Sequence, residues 1–348
     1  MAYISFQPSD YFNTVTYAGN SSSTQSITGV GFQPDWVWIK QRNLAYSHVL
    51  FDAVRGVGKN LSSNSTTAEE TNNSVGYLSA FDSDGFTVSQ GSSSGDRVNG
   101  AYNYVGWNWK ANGSGSANTD GSISSTVSAN TTAGFSIVKW TGTGSAETIG
   151  HGTGQEIKFF IAKKTSASGD NWYAYHGSLG GTKYLHLNNT ASAGTASSPF
   201  NNTNPTSTTI SAGTDLSNSS ADYIAYCFAE KKGFSKFSSH VGNGSTDGAF
   251  IYTGFKPAWF LLKPSSGSGQ WFVWDSTRSP INQAQKILSP ESTAVEGDSS
   301  GAAVDFVSNG IKIRNSDGGI NQSGVTYITM AFAEHPLVSS NDIPATAR

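Results

Sequence analysis

The sequence predicts an all-β protein made of three tandem units of about 100 residues, each with a jelly-roll-like or sandwich fold. Composition is the first observation behind this prediction. Charged residues make up only 13% of the 348 residues, and 39 residues are Gly. The chain also has 19 Phe, 14 Tyr and 9 Trp, whereas disordered chains are poor in aromatic residues. Such a composition is typical of many short strands joined by turns.

An internal repeat is the second observation. A ten-residue element that begins with Gly and ends with Lys reads GFQPDWVWIK at 31–40 and GFKPAWFLLK at 254–263, with a degenerate copy at 154–163 that ends in FFIAK. An alternating run follows each copy, at 48–52, 172–176 and 271–275. An aromatic-rich strand closes each unit, at 104–109, 223–230 and 327–334. A repeat of this length indicates one supersecondary unit per copy.

Local chemistry, the third observation, favours strands and hairpins throughout. The recurring runs are rich in β-branched and aromatic residues and alternate with a period of two. Asp84-Gly85 and Asn309-Gly310 lie between apolar residues and tolerate the positive φ of a tight hairpin turn. No stretch of ten or more residues has a helical period, although residues 278–295 leave room for one short helical turn.

These recurrences predict the domain boundaries. The first unit spans residues 1–110, the second 134–232 and the third 233–337. The Gly/Ser/Asn/Thr-rich residues 111–133 are expected to form a flexible or loosely extended linker, which would leave the first unit free to move. Only 231–233 separate the second and third units, which should pack closely. Residues 338–348 are expected to form a C-terminal tail.

Charge, cysteine content and hydropathy exclude several classes of protein. The net charge is −3 and no cluster of Lys or Arg stands out, so no nucleic-acid partner is expected. The single cysteine, Cys227, cannot form an internal disulfide, which fits synthesis in a reducing cytoplasm. The N-terminus lacks the features of a signal peptide, and no apolar run is long enough to insert into a membrane.

The search for catalytic and metal-binding residues predicts none, and no cofactor. Asp52 and Asp275 hold equivalent positions in the first and third units, with His176 in the second. A shared structural role is favoured over catalysis, although two carboxylates placed by the fold are all that a glycoside hydrolase needs. His176 and His186 could meet across two strands, where ordinary polar pairing is favoured over metal binding.

The aromatic residues raise the question of carbohydrate binding. Trp36, Trp172, Trp259 and Trp271 recur at strand positions with apolar neighbours and are expected in the core. Tyr46 and Tyr184 do not recur and lie near predicted loops. Because aromatic rings stack on sugar rings, these two tyrosines are the candidate glycan contacts.

The repeats resemble a family of uncharacterised repeat domains in structural proteins of marine tailed bacteriophages, including tail-fibre and minor structural proteins. The resemblance rests on GFQPDW at 31–36, GFKPAW at 254–259, WYAYHGSLG at 172–180 and DYIAYCFAE at 222–230, and it covers nearly the whole chain. The second Gly-to-Lys element departs from the pattern, with Gln155-Glu156-Ile157 in place of Phe-x-Pro.

That resemblance implies a virion protein made in the host cytoplasm, with other virion proteins as partners and a homotrimer as the expected oligomer. The leading hypothesis is a non-enzymatic tail-fibre or receptor-binding component that contacts host-surface polysaccharide. The alternatives are a capsid decoration or tail accessory protein without receptor binding, and a glycan depolymerase.

Overall fold

Antiparallel strands are the main regular secondary structure in the computed structural model, which describes residues 7–71, 74–93 and 95–334 and the backbone of two short strands beyond them. In residues 7–110 the strands are β1 (Phe12–Ala18), β2 (Thr24–Thr28), β3 (Trp36–Gln41), β4 (Val49–Asp52), β5 (Lys59–Asn60), β6 (Glu70–Thr71), β7 (Tyr77–Asp82), β8 (Gly85–Ser89) and β9 (Asn103–Trp109). In residues 111–232 they are β10 (Ser116–Asn118), β11 (Ser125–Asn130), β12 (Phe135–Thr141), β13 (Glu147–Gly150), β14 (Ile157–Lys164), β15 (Tyr173–His176), β16 (Lys183–His186), β17 (Gly194–Thr195), β18 (Thr209–Ala212) and β19 (Asp222–Ala229).

The remainder of the chain continues this pattern. From residue 233 onward the strands are β20 (Ser235–Val241), β21 (Phe250–Tyr252), β22 (Pro257–Pro264), β23 (Phe272–Asp275), β24 (Lys286–Ile287), β25 (Gly297–Asp298), β26 (Val304–Val307), β27 (Gly310–Ile313), β28 (Thr326–Ala333), β29 (Leu337–Val338) and β30 (Pro344–Ala345). The helical segments are α1 (Gly318–Asn321) and the 3₁₀ turns Pro8–Asp10, Thr214–Leu216 and Ser300–Ala302. The protein is therefore nearly all-β, as predicted. Within the described residues, no helix has the length and apolar character needed to cross a bilayer.

Three stretches of the chain, called here the first block (residues 7–110), the second block (134–232) and the third block (233–334), each contain a main sheet with one pairing order. The orders are β1-β9-β3-β4, β12-β19-β14-β15 and β20-β28-β22-β23, the second being the centre of an eight-stranded sheet. In each main sheet, the last strand of the block lies between the first strand and the strand formed by the ten-residue Gly-to-Lys element, which is β3, β14 or β22. The alternating run pairs with the outer side of the Gly-to-Lys strand, so residues such as Asp52 and Asp275 meet the same register position on it.

A smaller sheet covers one face of each main sheet. These sheets have the orders β2-β8-β7, β13-β18 and β21-β27-β26. A separate apolar cluster lies between the two sheets of each block, with members such as Phe86 in the first, Ile210 in the second and Ile311 in the third. Each block therefore has a two-layer core of its own.

The opposite faces of the three main sheets meet in one shared apolar core. Trp36 stacks on Tyr226 of the second block at 4.3 Å between ring centroids, and Phe12 stacks on Phe332 of the third block at 5.0 Å. The main strands are consequently buried on both faces, as the six buried residues of β3 illustrate. The predicted core tryptophans Trp36, Trp172, Trp259 and Trp271 are all buried, which confirms that prediction.

Residues 111–133 differ from the expected flexible linker. Strand β11 pairs with β12 along its full length, and β10 pairs with β11, so this segment extends the main sheet of the second block. The amides of Ala111 and Gly113 donate to the Asp35 carboxylate at 2.7 and 3.1 Å. Backbone pairing does not require apolar side chains, which is why a low-complexity sequence can still form strands here. The first block also shares the common core, so the prediction that it moves freely relative to the other two is wrong as well.

The remaining local predictions have mixed outcomes. Both hairpins are confirmed, with Asp82 opposite Gly85 and Val307 opposite Gly310. Residues 278–295, which left room for one short helical turn, are all described and contain no helical segment, but they do contain β24. Of the predicted tail at 338–348, the structure describes only the backbone of Val338 and of β30, and β30 pairs with β29. Residues 339–343 and 346–348 lie outside the described residues.

Candidate functional site

The equivalent carboxylates of the first and third blocks are buried and make the same contacts. Asp52 accepts the backbone N–H of Arg55 at 2.8 Å and forms an ion pair with its guanidinium, which also donates to the Leu50 carbonyl. Asp275 accepts the backbone N–H of Arg278 at 2.8 Å and forms the same ion pair. The predicted shared structural role is confirmed. A carboxylate that is buried and saturated in this way has no free lone pair facing solvent with which to act on a substrate.

Polar side chains also connect neighbouring blocks at these positions. The Tyr226 hydroxyl donates to Asp52 Oδ2 at 2.7 Å, and Trp107 Nε1 donates to Asp275 Oδ2 at 3.0 Å. In the second block, His176 Nε2 lies 3.2 Å from the carbonyl oxygen of Thr329 in the third block. Burial lowers the pKa of His176 to about 4, so the ring is neutral at pH 7 and donates from Nε2 to that carbonyl. Each contact satisfies a buried polar group across a boundary between blocks.

Three buried lysines end the Gly-to-Lys elements. Lys163 Nζ donates to the Thr66 carbonyl at 3.2 Å, and Lys263 Nζ donates to the Ala191 carbonyl at 2.9 Å, so each holds a loop of the preceding block. Lys40 Nζ donates to the Gln41 carbonyl at 2.6 Å. Burial lowers the pKa of all three to about 8. Since their donors are satisfied by backbone carbonyls, these lysines stabilise loops.

The histidines considered for metal binding do not come together. Strand pairing places His186 opposite Tyr173, and its ring packs against the rings of Tyr173 and Tyr184. His176 points instead to the third block, so the expected cross-strand pairing of His176 with His186 is wrong. Among the described residues, no group of three or more His, Cys, Asp or Glu side chains is arranged to hold a metal ion.

The two tyrosines predicted as glycan contacts lie in different blocks and are half-buried. The Tyr46 ring packs over Gly95 in the first block, and the Tyr184 ring packs over Gly194 in the second. Tyr184 also contacts the ring of Tyr173, at 5.6 Å between centroids. Each ring already has one face occupied by the protein.

A more exposed pair of aromatic rings lies on β21, the edge strand of the small sheet in the third block. Phe250 and Tyr252 are 47% and 62% exposed, whereas Ile251 between them is 4% exposed and faces the core. We call these two residues the aromatic platform. The Phe250 ring lies against Gly310, and the hydroxyl end of the Tyr252 ring lies near Gly254. Side chains two apart on a strand are about 7 Å apart on one face, which suits adjacent units of a polymeric ligand.

Polar groups border the aromatic platform. Lys312 is opposite Phe250 in the strand register, and its Nζ lies 2.6 Å from the carboxylate of Asp247, a side chain that is 83% exposed. Gly310 is opposite Tyr252 in the strand register, and Asn309, the residue before it in the hairpin turn, is exposed. Aromatic faces bordered by a few hydrogen-bonding groups are the usual elements of a carbohydrate-binding surface.

Within the part of the chain that the structure describes, the equivalent edge strands β2 and β13 do not carry such a platform. The register positions of Phe250 and Tyr252 hold Ser26 and Thr28 on β2, where Ile27 takes the inward place of Ile251. On β13 the inward residue is Ile149, and the segment around Ser122 covers that edge by bonding to Thr148. The sequence alone does not reveal the platform, because the exposure of Phe250 and Tyr252 follows from the strand register that places Ile251 inward.

These features define a class of protein: an antiparallel β protein with a shared aromatic core, buried structural ion pairs and one exposed aromatic edge strand. The chain belongs to the DUF7483 family, described as a domain of unknown function, whose model matches residues 7–336. No curated protein matches the chain.

Proposed function

We propose that the chain is a non-enzymatic virion structural protein of a tailed phage, acting as a tail-fibre or receptor-binding component that contacts host-surface glycans. The aromatic platform of Phe250 and Tyr252 is the observation that supports glycan contact most directly, because two large aromatic rings are exposed on the same face of one edge strand. The virion setting rests on the resemblance of the repeat motifs to phage structural proteins.

The burial of the chain's best-placed carboxylates supports a binding role over catalysis. Asp52 and Asp275 are each paired with an arginine and each accept a further bond from a neighbouring block. A retaining or inverting glycosidase instead needs two carboxyl groups that face one groove.

We also propose that the chain is a triplicated sandwich-like unit. The three blocks of one chain would then be arranged around each other as three subunits of a trimer are. The common pairing order of the three main sheets supports this. So does the cyclic pattern in which Trp172 Nε1 donates to the Ser62 carbonyl, Trp271 Nε1 donates to the His186 carbonyl and His48 Nε2 bonds to the Ser289 carbonyl. Each bond links one block to the next at the same register position.

Glycan-array binding of the purified full chain tests the proposal. The Phe250→Ala/Tyr252→Ala variant should bind its best glycan at least about tenfold more weakly, a loss of about 1.4 kcal/mol or more. Ser26→Ala/Thr28→Ala, at the equivalent positions of β2, is the matched control and should bind normally. Unchanged binding by the platform variant, or no glycan bound at millimolar concentration, would contradict the proposal.

A further inference from the structure

The second block lacks an ion-pair network that the other two blocks share. Three residues after Asp52, His176 and Asp275 come Arg55, Leu179 and Arg278. Arg55 Nη1 lies 3.5 Å from the Glu69 carboxylate, and Arg278 Nη1 lies 3.0 Å from that of Glu296.

The residue equivalent to these two glutamates in the second block is Ala193. Backbone amides fix the equivalence: Glu69 donates to the Thr165 carbonyl at 3.0 Å, Ala193 to the Ser265 carbonyl at 2.9 Å and Glu296 to the Arg42 carbonyl at 2.9 Å. An Asp–Arg–Glu network in two blocks is therefore replaced as a whole by His176, Leu179 and Ala193 in the second.

A cleft opens where those charged side chains are missing. It lies between the second and third blocks, has a volume of about 430 Å³ and is lined by Leu179 and Ala193 together with hydroxyl-bearing side chains and one lysine. The hydroxyls belong to Ser178, Ser192, Ser265, Ser266 and Thr326. In the first block the equivalent guanidinium is buried against Asp52, whereas the equivalent carboxylate, Glu69, is 18% exposed, so the carboxylate is the charged group missing from this space. The volume is within the range of small-molecule binding sites.

The lysine of the cleft, Lys183, has lost the partner that its counterpart retains. Lys59 and Lys183 hold the same register position, opposite Thr71 and Thr195. Lys59 Nζ lies 3.2 Å from the Glu69 carboxylate. Lys183 is exposed and, among the described side chains, forms no ion pair. The cleft thus contains a free ammonium group beside the position where two other blocks have a carboxylate.

We infer that this cleft binds an acidic sugar residue, a uronic acid, whose carboxylate takes the place of the missing glutamate and pairs with Lys183. The hydroxyls of Ser178, Ser192 and Thr326 bond to sugar hydroxyls, and Leu179 and Ala193 contact the apolar face of the ring. This inference rests on the proposed function, because it names the glycan class for a second contact on the same surface polysaccharide.

Isothermal titration of the purified full chain with a trigalacturonate, and with its neutral methyl ester, tests the inference. The native chain should bind the acid at least about tenfold more tightly than the ester. Lys183→Met should abolish that preference, while Lys59→Met, the matched control in the first block, should keep it. Leu179→Arg/Ala193→Glu restores the charged pair of the other blocks, fills the cleft and should abolish binding.

Three results would overturn the inference: no binding of the trigalacturonate by the native chain, equal binding of acid and ester by the native chain, or unchanged binding by Lys183→Met. Because Lys183 is exposed, Lys183→Met should retain the fold. Its binding can therefore be measured even if Leu179→Arg/Ala193→Glu does not fold. The Phe250→Ala/Tyr252→Ala variant separates this inference from the proposed function. If platform-dependent glycan binding persists while the trigalacturonate does not bind, only the cleft inference fails.

Discussion

The hydroxyl of Tyr226 donates a 2.7 Å hydrogen bond to Oδ2 of Asp52, joining the second block to the first through a carboxylate that Arg55 already neutralises. Burial raises the pKa of Tyr226 well above its usual range, so the hydroxyl keeps its proton and acts as the donor. Asp52 therefore serves two roles, closing the turn of its own block and fixing the neighbouring one.

Tyr226→Phe removes this donor from a buried charged acceptor. Asp52 keeps its bonds from Arg55, so we expect the free energy of unfolding to fall by about 1–3 kcal/mol, the usual effect of removing one hydrogen bond to a charged group. Urea denaturation measures it. Tyr252→Phe, which removes a hydroxyl from a largely exposed tyrosine, is the control and should change stability by less than about 0.5 kcal/mol. Equal effects of the two variants would show that the Asp52 contact contributes little.

Arg55→Leu should destabilise the protein more severely, by about 3–5 kcal/mol, because it leaves the buried Asp52 carboxylate without its cation. The triple change Asp52→His/Arg55→Leu/Glu69→Ala reproduces the combination found in the second block. It should cost less than Arg55→Leu alone, since no uncompensated charge is left behind. Comparing the urea denaturation midpoints of the two variants measures which is more stable. A triple variant that is less stable than Arg55→Leu would contradict this account.

Acid should weaken the fold through His240, whose ring nitrogens are buried. Burial lowers the pKa of His240 to about 4, compared with about 6.5 in the unfolded chain, so the unfolded state binds more protons between those values. Stability contributed by neutral His240 is therefore complete above pH 6.5 and is lost as the pH falls towards 4.

His240→Phe isolates this effect. The ring stacks on Tyr327 at 5.2 Å, and its nitrogens have no hydrogen-bond partner among the described residues, so Phe preserves the packing. Between pH 7 and pH 5 the variant should lose up to about 2 kcal/mol less stability than the native chain. Urea denaturation at the two pH values measures the difference, and identical losses would refute the assignment.

The shared core predicts a single unfolding transition for the three blocks. Trp36 of the first block stacks on Tyr226 of the second, and Trp109 of the first lies 5.9 Å from Trp259 of the third. Differential scanning calorimetry should show one transition, and Trp36→Ala should lower its midpoint as a whole, at a cost of about 3–5 kcal/mol. A separate, earlier transition for residues 7–110 would indicate independent domains.

Much of the fold was predictable because it depends on local patterns. Alternating aromatic runs identified the main strands, and Asp84-Gly85 and Asn309-Gly310 identified two hairpins. The shared core was not predictable from those patterns. A strand buried on both faces, such as β3, resembles any apolar strand in sequence, and only the tertiary packing shows what covers its second face.

The candidate sites were harder to predict than the fold. Tyr46 and Tyr184 were selected because they do not recur, but both rings rest on glycines that the sequence does not place beside them. Phe250 and Tyr252 were missed because aromatic residues flanking an Ile look like core until the strand register shows that Ile251 alone faces inward. The cleft depends on residues from two blocks, and no local pattern joins Ala193 to Ser265.

Cryo-microscopy of the phage particle to which we propose that the chain belongs tests the central claim most directly, because it locates the chain and shows whether the aromatic platform is free. We predict that the chain lies at the host-facing end of the tail, with Phe250 and Tyr252 directed away from the particle. Density for the chain on the capsid shell, or β21 buried against another virion protein, would contradict a receptor-binding role.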